Sequence, residues 1–387
     1  MMHVGFDISQ TGTTKAGCGF FAHSLLSSFL RTDTNACFTL YPIFGDFYYD
    51  GKMKYRQPYS GPNVSYGPRW LSRDSAADFW GSGDIEAVLK NPDVVHANNF
   101  WCPIQLTSSR LVYTLYDLSF ALEPSWATET NRTGCFEGIF RASIAADWIL
   151  AISEFSRVHF LSTFPHFPEN RVRVIHPCSR FRNLESPGKR PGKLEKIGSK
   201  MFWLSVGTIE PRKNYFLLAE AYARYLSKDG APYPLVLAGG VGWLMEDFEQ
   251  HLKKLGIADH VVLTGYVSDK ELIWLYRNCY AHLYPSLFEG FGLPVLEGMQ
   301  FGAATLASDT SSIPEVAGDA AILIDPDDSD QWAEEMLQLS RQPERRNRMR
   351  TASWNQAERF SWEKSASSTL ELYREAVSNP KRLFPIC

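Results

Sequence analysis

Ala281-His282-Leu283-Tyr284-Pro285-Ser286-Leu287-Phe288-Glu289-Gly290-Phe291-Gly292-Leu293-Pro294-Val295-Leu296-Glu297 is the stretch on which the fold turns. Ala281 to Ser286 reads as an apolar strand and Gly290 and Gly292 as a tight turn, while Pro294 suits the first turn of a helix carrying Leu296, Glu297 and Met299. A strand, a loop and a helix start leave unpaired backbone N–H groups at the strand's end, and the glycines let an anion approach the main chain closely. Glu289 and Glu297 bracket that turn, and paired carboxylates accept hydrogen bonds from a polyhydroxylated ligand.

Outward from this stretch, Val206-Gly207-Thr208-Ile209-Glu210-Pro211-Arg212-Lys213-Asn214 ends another strand, turns and starts a helix. Arg212 can fork across two phosphate oxygens and Lys213 adds a point charge, a pair suited to a diphosphate, although a solvated basic turn has the same spacing. The second half alternates throughout: strands at Phe202–Val206, Leu235–Ala238, Val261–Leu263, Ala281–Pro285, Thr305–Ala307 and Ala321–Ile324. Helical patterns fall at 214–226, 243–255, 270–278, 294–301, 331–340, 343–356 and 362–376. The first half carries strand-like runs at Val4–Ile8, Phe38–Tyr41, Val94–His96, Leu111–Leu115, Trp148–Ile152 and Val172–His176. Between them, helical spacing puts Phe21, Leu25, Leu26 and Phe29 on one side, and Phe136, Ile139, Phe140 and Ile144 on one side of a helix over 135–146. This is an α/β pattern with parallel sheets. The Tyr48–Trp70 stretch reads as an irregular insertion and 183–200, poor in large apolar residues, as a linker. Two doubly wound domains result, 1–182 and 201–360, with a cleft expected between them and a final helix over 361–387.

The 387 residues suffice for two cores, and a net charge of -4 leaves no electrostatic footprint for nucleic acid. The run Arg345 to Arg350 reads as a solvated helix face. Seven cysteines without a CxxC spacing point to a reducing cytoplasm and to no metal cluster, and no apolar run is long enough to cross a membrane. The chain therefore reads as cytoplasmic and at most peripheral to a membrane. Trp70, Trp80, Phe100 and Trp101 could stack on sugar rings, although core packing is the commoner use of such residues.

Further places carry polar residues at strand ends. Thr11 to Gly19 holds Gly12, Gly17 and Gly19 between a strand and a helix, a weak phosphate-cradle pattern without the Walker spacing. His96 and Asp117 each follow a strand, where substrate groups gather, yet a His at such a point more often makes structural hydrogen bonds. Ser153 and Glu154 read as a helix cap, and Ser308 to Val316 as a support for the neighbouring site. Asp325-Pro326-Asp327 and Asp328-Ser329-Asp330 read as a helix-start signal and not as a metal site.

Four motifs together resemble the retaining GT-B glycosyltransferases of glycosyltransferase family 4: Gly207 to Asn214, Gly265-Tyr266-Val267-Ser268-Asp269, Pro285 to Glu297, and Ser308 to Gly318. Phe360-Ser361-Trp362-Glu363 looks like the start of that family's last helix, which commonly crosses back to the first domain. The first half is similar more loosely, through its glycine loop, Leu115–Phe120 and Ile152–Ser156. The resemblance implies two Rossmann-like domains facing across a cleft, the first for the acceptor and the second for a nucleotide sugar. It implies Glu297 at the ribose, Glu289 at the donor sugar, Arg212 and Lys213 at the diphosphate, and the Val267 main chain at the base. Thr208, Gly290, Phe291, Gly292 and Leu293 would line the nucleotide, and Gly17 or Gly19 would approach the phosphates. Many relatives place His before the Asp where this chain has Tyr116-Asp117, leaving His96 and Asp117 as acceptor-side candidates.

The implied activity is retaining, metal-independent hexosyl transfer to a glycan or lipid-linked acceptor in polysaccharide biosynthesis. GDP-mannose is the favoured donor, through the similarity of Ile209 to Asn214 to polysaccharide mannosyltransferases; a UDP-hexose or rhamnosyl donor stays open. No cofactor beyond the donor is expected. The alternatives are a catalytically silent glycan-binding or partner subunit, and a sugar phosphorylase of the same fold.

Overall fold

The computed structural model describes residues 1–12, 15, 17–32, 35–41, 59–67, 79, 81, 83–182, 184, 186–240, 242 and 247–382. Trp70, Trp80 and most of the 48–70 stretch lie outside them. The chain divides into two compact units: Met1–Pro177 with Ser361–Cys387, and Cys178–Phe360.

In the first unit, strands β1 (Met2–Asp7), β2 (Ala36–Tyr41), β3 (Val64–Tyr66), β4 (Val94–Ala97), β5 (Arg110–Leu115), β6 (Trp148–Ala151) and β7 (Val172–Val174) form one sheet. All its pairings are parallel, in the order β3-β2-β1-β4-β5-β6-β7. The winding goes outward from β1 through β2 and β3, then resumes on β1's other side with β4, so its direction reverses between β1 and β4. Both faces are covered, which is why the strands read as continuous apolar runs. Val95, Leu111, Tyr113 and Ile149 enter one core cluster, while Phe6 and Phe38 pack on Phe29 of the Gly17–Arg31 helix. Strand β3 lies inside the stretch expected to be irregular. Its three residues pair with Phe38–Leu40 and are too few to display a period of two.

The Gly17–Arg31 helix buries Phe21, Leu25, Leu26 and Phe29, as its spacing predicts. The Glu129–Ala145 helix follows its prediction only in part: Ile139 is buried, but Phe136 and Phe140 are exposed and stacked on each other, and Gly138, Ala142 and Ser143 face inward beside Ile139. Gly138 sets this rotation. A Cβ there would lie 1.8 Å from the Phe100 carbonyl oxygen, so the small face of the helix docks directly on main chain. The Trp362–Ser378 helix, capped by Ser361, closes the first unit by packing on the Gly17–Arg31 helix and on β4 and β5.

The second unit builds a parallel sheet from β8 (Trp203–Val206), β9 (Leu235–Ala238), β10 (Val261–Gly265), β11 (Ala281–Tyr284), β12 (Thr305–Ser308) and β13 (Ala321–Ile324). Its order, β10-β9-β8-β11-β12-β13, reverses between β8 and β11. Successive side chains point to opposite faces: Trp203, Leu235 and Leu237 enter one cluster, Leu204, Val236 and Ala238 the other. The stretch 183–200, read as a linker, belongs to this unit, and Phe181 and Leu194 are fully buried in its core. A few apolar anchors suffice to pack an otherwise polar segment. The arginine run is solvated only in part: Asn347 and Arg348 are exposed, while Arg345 pairs with Glu335 at 2.8 Å, Arg346 lies 4.3 Å over the Tyr280 ring, and Arg350 donates to the Gly302 carbonyl. Asp328 caps the Ser329–Arg341 helix, as its position predicts. Among the described residues no helix is long and apolar enough to cross a membrane.

Candidate functional site

Parallel α/β sheets offer ligands a crevice beyond the carboxyl ends of their strands, where the winding reverses. In the second unit that place lies between the loops after β8 and β11. The first runs through Gly207 to a single turn at Pro211–Lys213 and enters the Tyr215–Ser227 helix at Asn214, whose φ of 57° is left-handed. Asn214 is held there by its side-chain bond to the Pro326 carbonyl at 2.7 Å. The second loop leads through Gly292, φ 95°, into the Leu293–Gln300 helix with Pro294 in its first turn. The two loops are joined: Leu287 N donates to the Arg212 carbonyl at 2.9 Å, and Ser286 Oγ lies 3.1 Å from the same oxygen.

Glu289 is the centre of this junction. Lys213 Nζ lies 2.5 Å and Tyr284 Oη 2.8 Å from its Oε1, Ser286 Oγ donates to the same oxygen at 2.6 Å, and Arg212 Nη1 is 3.0 Å from Oε2. Arg212 also pairs with Glu210 at 2.8 Å and donates to the Phe288 carbonyl. The main chain of Glu289 is clamped by Ser311, which accepts from its N–H, and Ser312, which donates to its carbonyl. The loop of residues 308–312 thus supports the site, as its hydroxyls suggest. Burial alone would raise the Glu289 pKa, but the Arg212 and Lys213 charges outweigh it and hold the carboxyl down to about 2. Burial and the adjacent Arg212 lower the Lys213 pKa against the pull of Glu289.

The other acid, Glu297, is 4 % exposed on the Leu293–Gln300 helix. Its Oε1 is 3.3 Å from Arg180 Nε, and its Oε2 accepts from the Tyr276 hydroxyl at 3.2 Å. Burial raises its pKa, with Arg180 opposing. Between the two acids lies His282, fully buried on β11, edge-on to Tyr276 at 5.4 Å and tilted against Tyr284 at 5.8 Å. Each of those tyrosines bonds one of the acids. Burial keeps the His282 ring neutral, with its pKa lowered to about 3. Gly290, Phe291 and Gly292 are buried, Leu293 half-buried and Thr208 exposed; Val267 is half-buried just after Gly265, whose φ is 73°.

The expected residues of the first unit behave differently. His96 is fully buried, its Nε2 hydrogen-bonded to Thr114 Oγ1 at 2.8 Å and its Nδ1 to the Tyr373 hydroxyl, with Phe6 edge-on at 5.2 Å. Its Nδ1 thus ties the ring to the Trp362–Ser378 helix and its Nε2 to strand β5. Burial lowers its pKa to about 3. Asp117 Oδ1 accepts from Ser119 N and Oγ at 2.9 and 2.7 Å and so opens the short Ser119–Leu122 helix. Gly19 has a packing reason: a Cβ would lie 2.0 Å from the Gln10 carbonyl oxygen, whereas Gly17 meets nothing within 4 Å. Sequence reasoning passed over Asp7, which ends β1 buried, accepts from Ser9 N at 2.8 Å and Asn98 N at 3.1 Å, and has its pKa raised by burial to about 7. Arg180, Glu210, Tyr276 and Tyr284 were missed as well. Tyr284 carried a signal, a hydroxyl at the end of an apolar strand, but Arg180 lies more than a hundred residues from Glu297 and carried none. Among the described residues no group of three or more His, Cys, Asp or Glu converges to hold a metal ion.

Residues 189–356 match the model of the glycosyl transferases group 1, and residues 46–178 that of glycosyltransferase family 4. O-antigen chain mannosyltransferase B of Escherichia coli is 31% identical over 283 residues, covering 73% of this chain and 74% of that protein. The serotype-specific mannosyltransferase WbdA of Escherichia coli is 36% identical over 231 residues, 59% of this chain but 27% of its own length. Among solved structures, Anabaena HepE in complex with UDP superposes with a TM-score of 0.68 at 17% identity, covering 97% of this chain and 100% of that one.

Proposed function

Since the chain belongs to the glycosyltransferases of group 1 and family 4, with their GT-B fold and nucleotide-sugar donors, we propose that it transfers mannose from GDP-mannose, with retention, to a glycan or lipid-linked acceptor. The observation carrying this reading is the convergence of Arg212, Lys213 and Glu289 where the winding of the second sheet reverses. Two mannosyltransferases among the relatives favour mannose over other hexoses.

In this mechanism the bond from the anomeric carbon to the diphosphate breaks with its electron pair moving to phosphate oxygen. Arg212 and Lys213 receive the growing negative charge, a stabilisation worth most in a site that excludes water. Until the donor arrives, Glu289 is their counter-ion and fixes both cations in place. Donor binding hands their charge to the phosphates and turns the acid toward the sugar hydroxyls. The acceptor oxygen bonds to the anomeric carbon from the face the diphosphate leaves, and its proton passes to the departing phosphate. Glu297 takes the ribose hydroxyls and the Val267 main chain meets the base. Cationic side chains supply the phosphate neutralisation, so no metal ion is assigned a step.

The test is nucleotide release from a donor panel with acceptor glycans, read by mass spectrometry. GDP release from GDP-mannose, lost about 100-fold or more in Lys213→Ala, is the expected result. Release from UDP-glucose alone would reject the mannose assignment. Nucleotide binding without turnover of any donor would indicate a silent partner subunit, and phosphate-dependent formation of a sugar phosphate a phosphorylase.

A further inference from the structure

Arg180 is held by its neighbours as a placed side chain and not as a loose surface cation. Phe181, next to it, is fully buried against Phe301, with ring centroids 5.7 Å apart, and its carbonyl accepts from Gln300 Nε2 at 2.8 Å. Arg182, the residue after Phe181, forks onto Glu358 at 2.9 and 2.6 Å. Directly before these anchors, the Arg180 guanidinium lies 4.7 Å over the Phe181 ring, with Nε 3.3 Å from Glu297 and Nη2 3.6 Å from Asp269. Asp269 opens the Asp269–Asn278 helix two residues after Val267, and Tyr276 of the same helix donates to the second oxygen of Glu297. One guanidinium therefore ties the acid assigned to the ribose to the segment assigned to the base.

We propose that Arg180 is a positioning residue which, with Tyr276, aims the Glu297 carboxylate so that the site reads the vicinal hydroxyls of a ribose and discriminates against deoxyribose. A carboxylate offers about four lone-pair sites. Arg180 and Tyr276 approach one oxygen each, leaving two acceptor positions in a plane they fix, matched to two adjacent hydroxyls. Arg180 also supplies the charge that opposes neutralisation of an acid buried this deeply. A site that hydrogen-bonds a substrate hydroxyl rejects the analogue lacking it because its own polar group is then left unpaired. The inference rests on the reading of Glu297 as the ribose ligand, and its test separates the two.

Dissociation constants are measured by calorimetry on the full chain for GDP, 2′-deoxy-GDP and 3′-deoxy-GDP, with the UDP series in parallel. The wild type is expected to favour the ribonucleotide by about tenfold or more. Arg180→Met should weaken ribonucleotide binding by about tenfold while leaving the deoxy analogues within about twofold, and Arg180→Lys should restore part of the preference. Thermal melting of each variant identifies any that fails to fold, and Arg180→Lys then carries the comparison. Equal weakening of all three nucleotides in Arg180→Met, or an unchanged preference, overturns the proposal. If Glu297→Gln keeps the ribose preference, the reading of Glu297 itself falls. If Glu297→Gln abolishes it while Arg180→Met preserves it, only the role of Arg180 falls. Binding of neither nucleotide series by the wild type removes both.

Discussion

Two buried side chains show how differently one environment acts on acids and bases. Glu86, 6 % exposed, accepts from five donors: Thr107 N and Oγ1, Ser108 N and Oγ, and Ser109 N, at 2.6 to 3.0 Å. Burial opposes its charge, yet these hydrogen bonds win and hold the carboxyl well below the usual range. Glu86→Ala leaves that turn without its acceptor and should cost about 2–4 kcal/mol, read as a lowered urea midpoint. A midpoint unchanged within error would show that water replaces the carboxylate freely. His282 is the converse case, with a folded pKa of about 3 against 6.5 unfolded. Between those values the unfolded chain binds the extra proton, so stability is full above pH 6.5 and is lost as pH falls towards 3. Below pH 4.5 the ionised Glu289, held to about 2, adds a loss of the same sign. His282→Phe should flatten the fall between pH 6.5 and 4.5 by up to about 1.4 kcal/mol per pH unit, measured by urea unfolding at a series of pH values. An identical slope would mean that the ring is protonated in the native state. None of this was legible in the sequence: Glu86 and His282 resemble any surface acid or strand histidine until their surroundings are known.

At the level of elements the sequence was far more legible, because burial on both faces writes parallel strands as apolar runs. Among the described residues, twelve of the thirteen strands were marked by such runs, and three-residue β3 was the exception. Orientation was harder to read. Phe136 and Phe140 looked inward by spacing, but Gly138, with its main-chain contact to Phe100, decided the rotation of that helix, and a glycine has no weight in a hydrophobic count. Glu289, Arg212 and Lys213 were legible as a group because each follows a strand that ends where the winding reverses. Their mutual ion pairs were not, since spacing is blind to contacts across loops. The Glu129–Ala145 helix also depends on a distant residue. Arg382 donates to the carbonyls of Ser143, Ile144 and Ala146 and stacks 4.4 Å from the Phe167 ring, closing a helix end where His166 reaches the Ser143 carbonyl as well. Arg382→Ala should speed amide hydrogen exchange in the last turn of that helix and cost about 1–2 kcal/mol. Unaltered exchange there would assign the cap to solvent.

For the molecule as a whole, the division into units does not follow chain order. Cys178–Phe360 is a continuous segment, while Met1–Pro177 is completed by Ser361–Cys387. The returning helix places Trp362, Leu370 and Tyr373 in the first unit, where Tyr373 covers His96. A chain ending at Phe360 should therefore retain a protease-resistant core over 178–360 while 1–177 becomes labile, as limited proteolysis with mass spectrometry would show; equal resistance of both would mean that the helix is dispensable. Synthesis on the ribosome gives this arrangement a temporal meaning. When Pro177 has been made, its unit still lacks the piece that seals its sheet, and the 183 residues of Cys178–Phe360 (360 − 177) are translated before that piece follows. At ordinary elongation rates that interval is roughly 10–40 s, long enough for the later segment to finish folding first. The nascent amino-terminal half meanwhile presents an uncovered apolar surface to the cell, and this interval is when a chaperone would have most to hold.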